Sequence, residues 1–245
     1  MNPQETSKTL LLLAAQGDPE KAREIEQYLD LAKYPAGGIV VTEVKQPGLT
    51  GEAVRAAIRH NEAVQIPDGL YLVLNDGKAI KTYKPGEVTE DDKARCTGIA
   101  VKMGNKSLVV DLYNMADGEE ITLTNREDKT DWDGYKDNAL DAGADWDGEG
   151  NTKHLLNVGL NPKIVLDRGQ FIPSVAQWRF ICLFRKELNQ ALAELGGDEL
   201  TGWYWTSTEY SATYAWHLYL NNGDMSRDTK ASNRVRVRAV SAFII

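Results

Sequence analysis

The part of the chain from Gly202 onward constrains its fold more than any other segment, because apolar and polar residues alternate there. Such alternation is typical of β-strands that hold one face against a core. The pattern predicts that three apolar residues face that core, Trp216, Leu218 and Leu220, and that the residues following them face solvent: His217, Tyr219 and Asn221. Residues 235–240 alternate in the same way. We therefore expect the C-terminal part of the chain to form β-strands.

A helix is predicted before these strands. Ser174 and Gln177 follow Pro173 with the spacing of a capping box, in which each of two side chains bonds the other residue's backbone N–H. Gly196 and Gly197 are expected to end this helix, since glycine accepts the positive φ of a helix C-terminus. Its buried side is predicted to consist of the apolar residues at helical spacing: Trp178, Ile181, Cys182, Leu192 and Leu195.

Further strands are predicted upstream, at residues 70–74, 96–102 and 107–113. Residues 75–78 include Asp76-Gly77, which supplies the positive φ of a hairpin turn. Asn151 or Thr152 is predicted to cap a short helix. Strands on both sides of helices indicate an α+β domain over residues 66–245, with its first and last strands in one sheet.

Residues 1–65 differ from the rest of the chain in their residue pattern and are predicted to form a small, mixed helical N-terminal module. Asp18-Pro19 opens a helical pattern with proline at the first helical position. A second helical pattern follows Thr50, and residues 37–44 are typical of a strand. These residues carry no catalytic pattern, so a packing or attachment role is expected.

Charge and cysteine content exclude several classes of protein. The net charge is -8, and residues 111–150 hold thirteen acidic residues against three basic ones, which opposes general nucleic-acid binding. The two cysteines, Cys96 and Cys182, are too few for a disulfide framework. One bridge or two buried thiols are the alternatives, and we favour thiols. Residues 9–15 are apolar but too short for a membrane span and lack the flanks of a signal peptide, so neither membrane insertion nor export is predicted.

Two chemical interpretations of the polar residues are weak. Asp145-Trp-Asp147-Gly has the alternating acids of a calcium loop, but the twelfth position, where such loops need an acid, is Leu156. A solvated acidic loop is therefore expected, and no metal or cofactor. The histidines, His60, His154 and His217, are scattered, and no nucleophile or phosphate-binding motif accompanies them. We expect no enzymatic activity.

The run Gly202-Trp-Tyr-Trp-Thr-Ser-Thr-Glu-Tyr-Ser211, then Ala215-Trp216 and Arg234-Val-Arg-Val, resembles the C-terminal half of bacterial C-type-lectin-like domains. Asp147-Gly-Glu-Gly-Asn-Thr152 and Ile172-Pro-Ser174 lie where that family has matching segments. Within the family the chain resembles the variable proteins of diversity-generating retroelements, which include phage receptor-binding and bacterial surface proteins. The formylglycine-generating oxidase shares this broad fold but uses a C-terminal cysteine pair, and no cysteine follows Cys182 here.

The resemblance implies a ligand-binding protein with a constant scaffold and a variable C-terminal surface. The scaffold would consist of Trp205, Ser207, Thr208, Tyr210, Ser211, Ala215, Trp216, Gly223, Lys230, Arg234, Val235 and Arg236. The variable, ligand-binding positions would be Ala212, Thr213, Tyr214, His217, Tyr219, Asn221, Asn222, Asp224, Ser226, Arg227, Asp228, Thr229, Ala231, Ser232 and Asn233. The target would be a protein or glycan on a cell surface, and the chain would belong to a phage virion or a bacterial surface.

In such systems the variable codons change only at their adenines. An asparagine codon altered in this way can yield Asn, Ser, Thr, Asp, Ala, Tyr, His or Arg, among others, but never Lys, Glu, Gln, Met or Trp, and all fifteen positions obey this rule. Met225 does not fit and would be fixed or differently encoded.

Tyrosines among Asn, Ser, Thr and Arg also form a paratope-like mixture. Because the positions are expected outside the core, each substitution should change stability by less than about 0.5 kcal/mol.

A fixed structural or adhesin subunit of the same fold, using this face for assembly into an oligomer, is the alternative. In that case residues 212–233 would pack on a neighbouring chain.

Overall fold

The computed structural model describes residues 66–74, 79–127 and 130–243. The strands there, in chain order, are β1 (Gly69–Leu74), β2 (Ala79–Thr82), β3 (Cys96–Met103), β4 (Lys106–Asp111), β5 (Gln170–Phe171), β6 (Trp203–Glu209), β7 (Tyr214–Tyr219), β8 (Asp224–Thr229) and β9 (Val240–Ser241). Six of them form one sheet in the order β2-β1-β3-β4-β9-β5, and the other three form a sheet in the order β6-β7-β8. Neighbouring strands pair antiparallel throughout.

The helices lie between these strands. They are α1 (Glu90–Arg95), α2 (Ala139–Ala144), α3 (Gly148–Val158), α4 (Val175–Cys182) and α5 (Arg185–Leu195). The capping box of Ser174 and Gln177 begins α4 as predicted. The prediction of one continuous helix from Ser174 to Gly196 is wrong. The helix is interrupted at Leu183 and Phe184, so that α4 and α5 are two separate helices. Gly196 then ends α5 in the left-handed conformation, with φ of 76°. The helix predicted to be capped by Asn151 or Thr152 starts earlier, since Asp147 accepts the Gly150 N–H as its N-cap.

The two sheets and the helices enclose two hydrophobic clusters. The larger cluster joins the six-stranded sheet, α4 and α5 with one face of the three-stranded sheet. The smaller one lies on the other face of the three-stranded sheet and includes Trp205, Ala215, Val235 and Val237. Strands β6 and β7 therefore hold a core on both faces, and Tyr204 and Trp205 are both fully buried. This double burial holds β7, the first strand of the hairpin that β7 and β8 form.

The predicted α+β class is confirmed, with antiparallel sheets and a small number of helices. The first and last described strands, β1 and β9, share the six-stranded sheet as predicted. The strand predicted at 235–240 is mostly absent: Val235 and Arg236 form single bridges, and only Val240 enters β9. Buried Arg238 interrupts the strand pattern, because its guanidinium donates to the carbonyl oxygens of Asp111, Leu112 and Asp198 and to Asn114 Oδ1.

Several predictions concern residues outside the described part of the chain, namely the module at 1–65, with its two helices and its strand, and the hairpin turn at 75–78. The described residues from Pro67 onward form one compact unit. No helix in this unit has the length and apolar character needed to cross a bilayer. Cys96 and Cys182 are free thiols, as favoured above, and burial raises the pKa of Cys182 to about 11.

Candidate ligand-binding surface

The fifteen predicted ligand-binding residues lie on the β7–β8 hairpin and in the loops at its ends. Fourteen of them keep contact with solvent. Exposed are Thr213, Tyr214, Asn221, Asn222, Asp224, Ser226, Arg227 and Ser232, and half-buried are Ala212, Tyr219, Asp228, Thr229, Ala231 and Asn233. His217 is the exception. The alternate residues Trp216, Leu218 and Leu220 face the core as predicted.

The strand register divides the candidates between two faces of the hairpin. The first face holds three cross-strand rows. One row consists of Trp203, Tyr219 and Asp224, and the next of Trp205, His217 and Ser226. Ala215 and Asp228 form the third row. We call the set Trp203, His217, Tyr219, Asp224, Ser226 and Asp228 the aromatic–acidic face. On the opposite face Tyr214 pairs with Thr229, and Trp216 pairs with Arg227. The predicted positions therefore lie on both faces of the hairpin and in the loops at its ends.

Arg227 is held on that opposite face by aromatic rings. Its guanidinium carbon lies 4.3 Å from the ring centroid of Tyr210 and 6.0 Å from that of Trp216. These distances are typical of cation–π contacts, which contribute roughly 0.5–1 kcal/mol at exposed sites. Arg227 thus combines an exposed position with a packing role.

The predicted outward orientation of His217 is wrong, because only 8% of the residue is exposed. Its ring centroid lies 4.5 Å from that of Trp203 and 5.7 Å from that of Trp205. Both ring nitrogens are buried without a hydrogen-bond partner among the described residues. The alternation rule failed here because a second core covers the face that it assigned to solvent. The expected tolerance of about 0.5 kcal/mol does not extend to position 217.

His217 is expected to make stability sensitive to acid. Burial lowers the pKa of His217 below its ordinary 6.5, opposed by the charge of Asp228. As the pH falls below 6.5 the unfolded chain binds the proton first, so the free energy of unfolding decreases. We expect His217→Phe, which keeps an aromatic ring, to lose less stability than wild type between about pH 7.5 and about pH 5, measured by urea denaturation. Equal losses in the two proteins would contradict this.

Several polar candidates also bond to the hairpin's own backbone. Asn221 Oδ1 accepts the Gly202 N–H at 2.7 Å and so ties the turn to the start of β6. Asn222 Oδ1 accepts the Asp224 N–H at 3.0 Å. Asp228 Oδ1 accepts the Thr229 N–H at 2.8 Å. These contacts keep the turn and the end of β8 in place while the side chains remain at the surface.

A buried cluster of charged residues contacts the loops at one end of the hairpin. Lys230 and Glu209, 1% and 0% exposed at their side chains, form an ion pair. His154 Nδ1 lies 2.5 Å from the other carboxylate oxygen of Glu209. The Lys230 backbone is bonded as well, since its N–H donates to Thr213 and its carbonyl accepts from Leu123. The cluster therefore anchors both loops at this end of the hairpin.

The acidic segment 130–136 closes over this cluster. The ring of Trp132 stacks on that of His154, with centroids 3.9 Å apart, and Tyr135 meets both rings edge-on. The Lys136 N–H donates to the Glu209 carbonyl, and the Lys136 carbonyl accepts from the indole of Trp216. The segment therefore packs beside the hairpin through specific contacts.

The prediction of a solvated loop at 145–150 is wrong for Asp145, which is 8% exposed. Its carboxylate accepts from Thr208 Oγ1 at 2.6 Å, from Asn151 Nδ2 at 2.7 Å and from the Asp147 N–H at 3.1 Å. Its carbonyl accepts from Ser174 Oγ at 2.6 Å. Asp145 thus joins the start of α3, the start of α4 and strand β6. This is a structural centre formed by the motif segments noted in the sequence.

A separate cavity of about 810 Å³ is lined by residues from all six strands of the larger sheet. Asp111 is in its wall, accepts a hydrogen bond from Gln170 Nε2, and has its pKa raised by burial to about 6. Cys96 also lines the cavity, but burial raises its pKa, which opposes a reactive thiolate. A second carboxyl, that of Asp167, also lines the cavity, and its charge contributes to the raised pKa of Asp111.

Comparison with known proteins adds no relationship: no protein-family model matches the chain, and no curated protein matches it. Within the described residues no group of three or more His, Cys, Asp and Glu side chains is placed to hold a metal ion.

Sequence reasoning missed several residues of this surface and its support. Trp203 was missed although the sequence carries a signal for it. It precedes Trp205 by two positions, and strand alternation correctly places both side chains on one face. Glu209 and His154 are 55 residues apart, and no local pattern joins them. Their pairing depends on the tertiary fold.

Proposed function

We propose that this chain is a ligand-binding protein, not an enzyme, that presents a variable C-terminal surface as do the variable proteins of diversity-generating retroelements. The observation that carries the proposal is the solvent contact of fourteen of the fifteen candidate positions on a hairpin whose first strand, β7, has residues in two cores. A rigid backbone with replaceable surface side chains is what recognition of changing targets requires.

We further propose that residues 66–245 have a C-type-lectin-like fold. Support comes from β1 and β9 in a common sheet and from the contacts of Asp145, which join segments that resemble that family. Most of the scaffold set is buried or half-buried, and Arg234 is exposed. Candidate positions without packing or backbone contacts should tolerate substitution within about 0.5 kcal/mol, which is consistent with diversification, whereas Arg227 and Asn221 make such contacts and should cost more.

The target in this proposal is a protein or glycan on a cell surface. Such a role places the chain on a phage virion or a bacterial surface, with no nucleic-acid target and no cofactor. Tyr214 and Tyr219 supply aromatic anchors with a polar end, a residue type favoured at binding surfaces.

Diversification is tested by sequencing the gene and its flanking DNA from many cells or virions of one population. We expect substitutions confined to the fourteen solvent-contacting codons, restricted to adenines, with an adenine-rich near-copy of this segment and a reverse transcriptase gene nearby. Codons of the buried scaffold residues, such as Trp205 and Ala215, are the internal control. Substitutions spread evenly over both sets would refute diversification.

The alternative, a fixed assembly subunit, predicts a homo-oligomer that buries residues 212–233. Tyr214→Ala and Tyr219→Ala would then shift the oligomer toward monomer in sedimentation experiments. Under our proposal the same variants leave the assembly state and the melting temperature unchanged while they weaken target binding.

A further inference from the structure

We propose that the cavity on the six-stranded sheet binds a small organic amine, with its ammonium group at Asp111 and Asp167 and its apolar body against the sheet. None of the fifteen candidate positions on the hairpin is among the described residues that line this cavity. The inference therefore adds a second binding site and does not rest on the proposed function. Its basis is a single space with a suitable volume, an apolar wall and two carboxylates that form no ion pair with the described residues.

The cavity lies on the face of the six-stranded sheet that points away from the larger hydrophobic cluster. In β4 that cluster contains Leu108 and Val110, whereas the alternate residues Val109 and Asp111 line the cavity. Its volume is about 810 Å³. Pockets for drug-sized ligands measure roughly 300–1,000 Å³, so this space suits a small molecule.

The apolar part of the lining is open to a ligand. Ile80 on β2 and Tyr113 after β4 are 36% and 57% exposed, and Phe243 after β9 is half-buried. Single apolar side chains at a protein surface are ordinary, but three large ones that line the same cavity are typical of a binding groove. An aliphatic or aromatic ligand body removes this apolar surface from water, which favours binding.

Asp111 and Asp167 supply the polar end of the site, and Gln170 connects them. Gln170 Nε2 donates to Asp111 Oδ2 at 2.8 Å, and Gln170 Oε1 accepts the Asp167 N–H at 2.8 Å. Asp111 Oδ1 and the carboxylate of Asp167 have no hydrogen-bond partner in the described part of the chain. Asp111 is half-buried and Asp167 is exposed, so a ligand reaches both. Gln170 thus holds Asp111 in place while acceptor oxygens remain for an ammonium, which is a donor only.

The charges around this pair favour a cation over an anion. Burial raises the pKa of Asp111 to about 6, opposed by the charge of Arg238 and assisted by that of Asp167. Arg238 is itself buried and donates to backbone carbonyls, and Arg168, which also lines the cavity, forms no ion pair among the described residues. An ammonium beside Asp111 and Asp167 offsets their mutual repulsion, whereas an anionic ligand would add to it.

The test uses the full chain and three probes with the same apolar body: phenylbutylamine, the neutral phenylbutanol and the anion phenylbutyrate. Each is titrated at about pH 7.5 while the backbone N–H signals of Thr97 and Ser241, which line the cavity, are followed by NMR. We expect saturable shifts with the amine at a dissociation constant of about 1 mM or below, roughly fivefold weaker binding of the alcohol, and no binding of the acid. Toward about pH 5 the amine should lose affinity as Asp111 binds a proton, whereas the alcohol should not.

Asp111→Asn removes the charge at nearly constant shape and should weaken amine binding roughly fivefold. Binding of the alcohol should stay unchanged in this variant, which shows that the apolar wall is intact. Glu187→Gln, which changes an exposed acid on α5, is the matched charge control and should alter neither affinity. No binding of the amine, equal affinities of the amine and the alcohol, or equal effects of the two variants would overturn the proposal.

Discussion

Lys230→Met is expected to lower the free energy of unfolding by about 3–5 kcal/mol, enough to unfold a marginally stable domain. Lys230 is 1% exposed and pairs with Glu209, whose side chain is fully buried. Methionine is similar in length but removes the ammonium from the carboxylate, which keeps its contact with His154 Nδ1. An uncompensated buried charge is far more costly than a surface one. Urea denaturation at neutral pH measures the effect.

The double variant Lys230→Met with Glu209→Leu is the informative control. The second substitution removes the buried carboxylate that Lys230→Met leaves without its ammonium partner, so the double variant should be more stable than Lys230→Met alone. The exposed pair of Lys153 and Glu149 serves as a surface comparison, and Lys153→Met should change stability by less than about 1 kcal/mol. If Lys230→Met and Lys153→Met have equal effects, the Glu209 cluster does not anchor the hairpin.

Local signals in the sequence predicted the elements well where one rule dominated. The capping box at Ser174 acts within three residues, and α4 begins where it predicts. The alternation of Trp216 and Leu218 places both in the core because β7 does bury that face. The strands at β3 and β4 followed from apolar runs bounded by turn residues, which also act locally.

The errors at the candidate site have a common physical cause. Alternation assumes one buried face, but β6 and β7 lie between two hydrophobic clusters, so polar His217 is enclosed as well. Asp145 was assigned to solvent because acids near glycines are typical of loops, yet its partners Thr208 and Ser174 come from distant segments. Contacts between residues far apart in sequence decide both cases, and no periodicity encodes them.

Asp145→Ala is the second change with a large expected effect, a loss of about 3 kcal/mol or more in the free energy of unfolding. The substitution removes three hydrogen bonds at once and leaves the Thr208 hydroxyl and the Asn151 amide without their shared acceptor. Both donors are buried, so water does not replace the carboxylate without rearrangement. Thermal and urea unfolding measure the loss.

Asp147→Ala is the matched control, because it removes an acid two positions away from the same motif. Asp147 is exposed and caps α3 through the Gly150 N–H, so its loss should cost only about 1 kcal/mol. Asp145→Asn should fall between the two, since the amide oxygen can still accept from Thr208 and Asn151 while the amide nitrogen then faces the Asp147 N–H. If the alanine variants at 145 and 147 were equally stable, the acidic motif would be a solvated loop. Strand β6 and the starts of α3 and α4 would then be held together by apolar packing and by their other hydrogen bonds, such as that from the Val175 N–H to Thr208 Oγ1.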